Sequence, residues 1–158
     1  MENNFGDFNS VLETERNNGK VICNITDMTT GSQGKAGKIT KVEVVKFLDA
    51  IGLKSHRIKE KWERINRGTA GRIIEYILSS DMAYDLELRT KPISKNLSDY
   101  FLSQFTTEVE YYTNGKFDKE SGIFRLRSWT SLTNSTFDTG VLVIDMSKIG
   151  ILWAEDND

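Results

Sequence analysis

The stretch Val141-Leu142-Val143-Ile144-Asp145-Met146-Ser147-Lys148-Ile149-Gly150-Ile151-Leu152-Trp153 decides the fold. Two runs of aliphatic and β-branched residues flank four residues with turn chemistry, which is the pattern of an antiparallel hairpin. Neither run alternates with polar residues, so both strands read as buried on their two faces. The sheet that contains them must be covered on much of each side, by helices or by a partner subunit.

Working back from the hairpin, Phe124 and Leu126 alternate with Arg125 and Arg127, which predicts a strand over 122–129 with both arginines on one face. Leu97, Phe101, Phe105 and Val109 recur every four residues, so a helix is expected over 96–110, ending before the turn pair Asn114-Gly115. Pro92 limits any regular element crossing it, and the alternation of Tyr84, Leu86 and Leu88 is too short to assign.

Three short helices are expected upstream. Thr40 and Glu43 have capping-box spacing and open a helix over 41–51 with Val42, Val45 and Leu48 on one face. Gly52 stops it, Ser55 caps a helix over 56–66 carrying Ile58, Trp62 and Ile65, and Thr69 caps a third over 70–80 built on Ile73, Ile74, Ile77 and Leu78. Nearer the N-terminus, Ser10 and Glu13 repeat the capping spacing before a helix over 11–17, and Val21 to Ile25 read as a short buried strand. The expected class is α+β, a compact N-terminal and central helical unit packed against a mainly antiparallel C-terminal sheet. A chain of 158 residues suits one domain over 1–158, with a basic helical subregion at 35–80 and a helix-plus-sheet subregion at 92–155.

Charge is distributed unevenly. Between Lys35 and Arg72 there are 11 Lys or Arg against 4 Asp or Glu, while the rest of the chain holds 10 against 19. A cationic block of this kind focuses anionic partners. The helices expected over 41–51 and 56–66 have the spacing of a helix-turn-helix, and Arg57, Lys61 and Arg64 form a stripe beside the apolar one, with Arg67 further round. Glu60 and Glu63 interrupt that field. In the preceding glycine-rich loop, Lys35 and Lys38 can clamp a phosphate. Lys35, Lys38, Arg57, Lys61, Arg64 and Arg67 are therefore the candidate nucleic-acid-binding residues, with double-stranded DNA or another phosphate-bearing ligand as the expected partner. Trp62 is read as core.

Other motifs fall short of a chemistry. Gly31 to Lys38 has the wrong spacing for a Walker loop, and Ile39 stands where the metal-binding hydroxyl belongs. Asp145 and Lys148 lack the second acid of a metal-dependent nuclease, and their place in a hairpin turn explains them. Cys23 is alone, which excludes an internal disulfide and suits a core cysteine in a reducing cytosol; one Cys and one His also leave zinc without its usual ligands. No catalytic residue, metal ligand or cofactor is assigned. No run approaches the roughly 20 apolar residues of a membrane helix, and the first residues lack a secretory signal, so a cytoplasmic location is expected.

The expected function is that of a small non-catalytic nucleic-acid-binding or regulatory protein. The alternative is a protein-binding inhibitor or immunity-type factor that blocks a toxin or defence enzyme through the acidic remainder, including Asp156 and Asp158. The opposed charges of the two regions also suit a homodimer.

Overall fold

The computed structural model describes residues 5–12, 16, 18–28 and 39–158. Their helices are α1 (Phe5–Leu12), α2 (Lys41–Ala50), α3 (Ser55–Ile58), α4 (Arg67–Ser79) and α5 (Ser94–Ser103). The strands are β1 (Gly19–Asp27), β2 (Glu63–Ile65), β3 (Glu110–Thr113), β4 (Gly115–Asp118), β5 (Arg125–Trp129), β6 (Phe137–Ile144) and β7 (Lys148–Asp156). Five strands form one sheet in the order β1-β7-β6-β3-β2, each pair antiparallel, and β4 and β5 form a separate two-stranded ribbon. The α+β class read from the sequence is the class observed.

The hairpin of β6 and β7 lies at the centre of the large sheet. Its turn is held by Asp145, whose Oδ1 accepts from the amides of Ser147 at 2.8 Å and Lys148 at 2.7 Å, while Oδ2 accepts from the Thr106 amide at 3.2 Å. The Asp145 and Lys148 pair therefore does the work of a turn. Alternate residues on the two strands enter two cores. Val141, Val143, Leu152 and Ala154 join Ile73, Ile74 and Ile77 of α4 and Phe101 of α5, whereas Leu142, Ile144, Ile149, Ile151 and Trp153 join Phe47 and Leu48 of α2 and Ile58 of α3. Helices of the same chain thus cover both faces, which is why the runs 141–144 and 149–153 of these strands carry no polar side chain.

The Thr40 capping box is present as expected: the Thr40 side chain accepts from the Glu43 amide at 3.2 Å, and Glu43 Oε1 accepts from the Thr40 amide at 3.1 Å. The buried face of α2 differs from expectation. Phe47 and Leu48 are buried, while Val42 and Val45 are exposed, because the large Phe47 side chain fixes the rotation of the helix. Thr40→Ala should cost about 1 kcal/mol, measured as a lower urea midpoint with an unchanged slope. A loss below a few tenths would mean that the packing of Phe47 and Leu48 alone holds this end.

Two expected helices are shorter than their periodicity suggested. The segment 56–66 is helical only over α3, ends at Lys59 with φ of 45°, and becomes extended at β2. Ile58 and Trp62 belong to one core and Ile65 to the other, across the sheet. A single helical stripe cannot serve two opposite faces. Likewise α5 ends at Ser103, and β3 pairs with β6 so that Tyr111 and Tyr112 face the two cores in alternation. Asn114 and Gly115 do not close a helix; they carry the chain from β3 into β4.

Nearer the N-terminus, Ser10 lies inside α1 rather than before a helix, and Glu13 falls outside the described residues. The cap of α4 is Asn66, whose Oδ1 accepts from the Thr69 amide at 2.8 Å, so Thr69 is the residue capped and not the cap. β1 is longer than expected and forms an edge of the large sheet, with its central residues half-buried. The Cys23 thiol packs against the first core, and burial pushes its pKa well above the ordinary thiol range. It is held in the neutral, unreactive form.

Candidate anion-binding groove

Loss of the helix over 56–66 disperses the cationic stripe read from the sequence. Arg57, on α3, donates to the Thr133 carbonyl at 2.6 Å and to Asn134 Oδ1 at 3.1 Å, which ties α3 to the loop before β6. Lys61 lies between α3 and β2, in a cleft with Lys116, Trp62 and Trp129, where Glu60 and Glu63 offset its charge. Arg64 is on the short edge strand β2, and Arg67 opens α4. Arg57, Lys61 and Arg64 therefore share no helical face, and the single helix over 56–66 expected to present them is not formed. Lys35 and Lys38 lie outside the described residues.

Two of the six candidates do come together. Arg64 and Arg67 line a groove of about 600 Å³ at the amino end of α4, and Lys119, in the turn after β4, completes its cationic wall. Glu110 is the acid that lines the same groove, 3.3 Å from the Arg64 guanidinium. The Arg64 side chain is 65% exposed while that of Glu110 is 20% exposed, so the guanidinium reaches solvent from a half-sheltered partner and keeps further N–H donors for a ligand. Arg67 is exposed as well, with contacts of 3.3 Å to the Leu102 carbonyl and 3.5 Å to the Tyr111 hydroxyl that aim it along the groove.

The backbone adds to this field. Asn66 satisfies the amide of Thr69 through its side chain and that of Ala70 through its carbonyl. The amides of Arg67 and Gly68, in the first turn, have no acceptor within the helix and carry the positive end of its dipole. Gly68 leaves the approach open, since a Cβ there would meet only the Asn66 side chain, at 3.4 Å. Behind the groove, burial and then the charge of Glu110 raise the pKa of Tyr112, against the opposing effect of Arg64. The Tyr112 phenol consequently remains a neutral hydrogen-bonding group.

Other cations lie outside this groove, each beside a partner of its own. Lys41 pairs with Glu60 at 2.9 Å, Arg125 with Asp85 at 2.6 Å, and Arg72 lies 4.7 Å from the centre of the Phe124 ring. Asp156, expected in an acidic contact surface, is instead buried in an ion pair with Arg16 whose two side chains are 3% and 1% exposed. Asp158 accepts from the Thr136 hydroxyl at 3.1 Å.

Lys119 was missed in the sequence because it is remote from the cationic block and its flanking residues, Asp118 and Glu120, are acidic. Only the folded path of the turn after β4 brings it into one groove with Arg64, Arg67 and Tyr111. Among the described residues, no group of three or more His, Cys, Asp or Glu side chains is placed to hold a metal ion, and no helix is long and apolar enough to cross a membrane. Neither a family model, nor a curated protein, nor a solved structure matches this chain.

Proposed function

We propose that this protein is a non-catalytic binder of nucleic acid that grips backbone phosphates in the groove at the amino end of α4. The reading rests on Arg64, Arg67 and Lys119 lining one groove with Asn66 and Thr69 at the start of α4, with Glu110 as the acid beside them. Arginine guanidinium groups and helix amides recognise phosphate oxygens by shape as well as charge. Such contacts position a strand without reading its sequence. Binding should therefore be weakly selective among sequences, in contrast to the base recognition a reading helix provides.

Fluorescence anisotropy of labelled single-stranded and duplex oligonucleotides, at rising salt, tests this. Three phosphate contacts imply that log K falls with log salt with a slope of about −2 for single strands and nearly −3 for duplex. The triple variant Arg64→Ala, Arg67→Ala, Lys119→Ala should bind at least about tenfold more weakly and with a flatter slope, while Arg57→Ala should bind as wild type. Absence of measurable binding by wild type at low salt overturns the proposal. So does undiminished binding by the triple variant.

A further inference from the structure

The cleft that holds Lys61 also holds two of the chain's three tryptophans, Trp62 and Trp129, in a cavity of about 390 Å³. Both are half-buried, and each is braced by another ring: Trp62 meets Trp153 edge to face with ring centres 6.1 Å apart, and Trp129 stacks on Phe137 at 5.3 Å. Trp62 thus packs on the core that holds Trp153, yet keeps part of its surface in the cleft. The indole nitrogens differ in a telling way. Trp153 Nε1 donates to Asp138, whereas those of Trp62 and Trp129 have no acceptor among the described residues and are not buried, so both reach solvent.

Charge does not account for this cleft. Lys61 and Lys116 are matched in number by Glu60 and Glu63, which leaves it close to neutral, in contrast to the cationic groove that begins at Arg64. Fixed aromatic rings with free N–H donors suit a flat, uncharged group that carries hydrogen-bond acceptors, and a nucleobase is such a group. The two hollows are also lined in the same order. Along one segment Trp62 and Glu63 line the cleft and Arg64 to Arg67 the groove, and along another Lys116 lines the cleft and Lys119 the groove. Strand residues advance about 3.3 Å each, so Arg64 follows Trp62 by about 7 Å.

We infer that Trp62 and Trp129 stack the bases of a single-stranded nucleic acid whose phosphates lie in the groove at the amino end of α4. The inference rests on the phosphate-binding reading and adds to it the form of nucleic acid that binds. In a duplex the bases are paired and stacked on one another, so their faces are closed to a protein ring, and only an unpaired strand occupies groove and cleft together. Glu60 and Glu63 disfavour a phosphate in the cleft, which fixes the part of the nucleotide that enters it.

The test compares three oligomers on wild type: a single strand of thymidines, a strand of the same length without bases, and a duplex. The single strand should bind at least about tenfold more tightly than the abasic one and should quench tryptophan emission that the abasic strand leaves unchanged. Trp153 is fully buried, so the quenching reports Trp62 and Trp129. Trp129→Leu should lower the affinity for the single strand to that of the abasic strand, with abasic and duplex binding unchanged, and Trp129→Phe should restore most of the loss. Equal binding of the thymidine and abasic strands by wild type overturns the inference and leaves the phosphate groove standing, and this comparison needs no variant to fold. A Trp129→Leu protein that loses all three ligands alike also overturns it. If wild type binds none of them, the groove reading fails and this one falls with it.

Discussion

Asp138→Ala is expected to lower stability by about 4 kcal/mol or more, a large part of the roughly 5–15 kcal/mol that holds a domain together. Asp138 is fully buried on β6. Its Oδ1 accepts from the Leu132 amide at 2.9 Å and from Trp153 Nε1 at 3.1 Å, and its Oδ2 from the Thr133 hydroxyl at 2.9 Å. These donors are neutral, so the carboxylate is held by hydrogen bonds and not by an ion pair. Alanine removes the acceptor of these three hydrogen bonds and of two longer ones, from the Thr133 amide at 3.4 Å and Asn114 Nδ2 at 3.5 Å, and each buried donor left without a partner costs about 1–3 kcal/mol. The loop that Asp138 holds also carries Thr133 and Asn134, the partners of Arg57, so α3 should loosen with it. Asp138→Asn, which keeps one acceptor oxygen, should cost about 1–2 kcal/mol. Equilibrium urea unfolding followed by tryptophan fluorescence measures both. An alanine variant as stable as the asparagine variant would show that the donors find other partners.

Breaking the pair of Arg16 and Asp156 should cost about 3–5 kcal/mol from either side. Arg16 Nε lies 2.7 Å from Asp156 Oδ1, and its terminal nitrogens reach Asp156 Oδ2 and the carbonyls of Ile77 and Ser80 at the end of α4. Asp156 also accepts from the Met82 amide at 2.9 Å. One guanidinium thus joins the last residue of β7 to the carboxyl end of a helix that carries much of the first core. Arg16→Ala would leave a buried carboxylate without its counter-charge and strip the helix end of its donors. Asp156→Ala would leave a buried cation. Replacing both by apolar residues of similar size, Arg16→Met with Asp156→Leu, should cost clearly less than the two single losses added together, because no lone charge remains. With an urea slope of about 2 kcal/mol per molar, each single change should move the midpoint by more than 1 M. Single losses below about 1 kcal/mol would place the pair in a wetter setting than its burial indicates.

Neither of these sites is marked in the sequence. Asp156 stands in the acidic run Glu155-Asp156-Asn157-Asp158, which reads as a solvated tail, and Arg16 is 140 positions away. Asp138 follows Phe137 among Thr and Ser residues with the look of a loop. In both cases the carboxylate is buried because β7 or β6 continues past the apolar run, and the extra residues are drawn in by partners from distant elements. By contrast, the Thr40 cap and the Asp145 turn were legible, since donor and acceptor lie within three residues and the backbone alone brings them together.

The candidate groove divides along the same line. Arg64 and Arg67 were marked by local cationic density, but the helix thought to present Arg64 was a misreading of Ile58, Trp62 and Ile65. Their spacing fits a helix, yet their destinations are cores on opposite sides of a sheet, and the chain has to become extended to reach both. Periodicity records that a residue is buried without recording which core receives it.

Local chemistry in the chain was enough to determine the α+β class, the central hairpin buried on both faces, the cap of α2 and the cationic character of its middle third. The tertiary structure alone decided which cations share a groove, which acids are buried and which strand lies at an edge of the sheet. Hydrophobic runs, caps and turns act over a few residues and are written consecutively. A buried ion pair, a groove wall or a sheet edge is made by segments far apart in the chain, and it exists only once packing has placed them side by side.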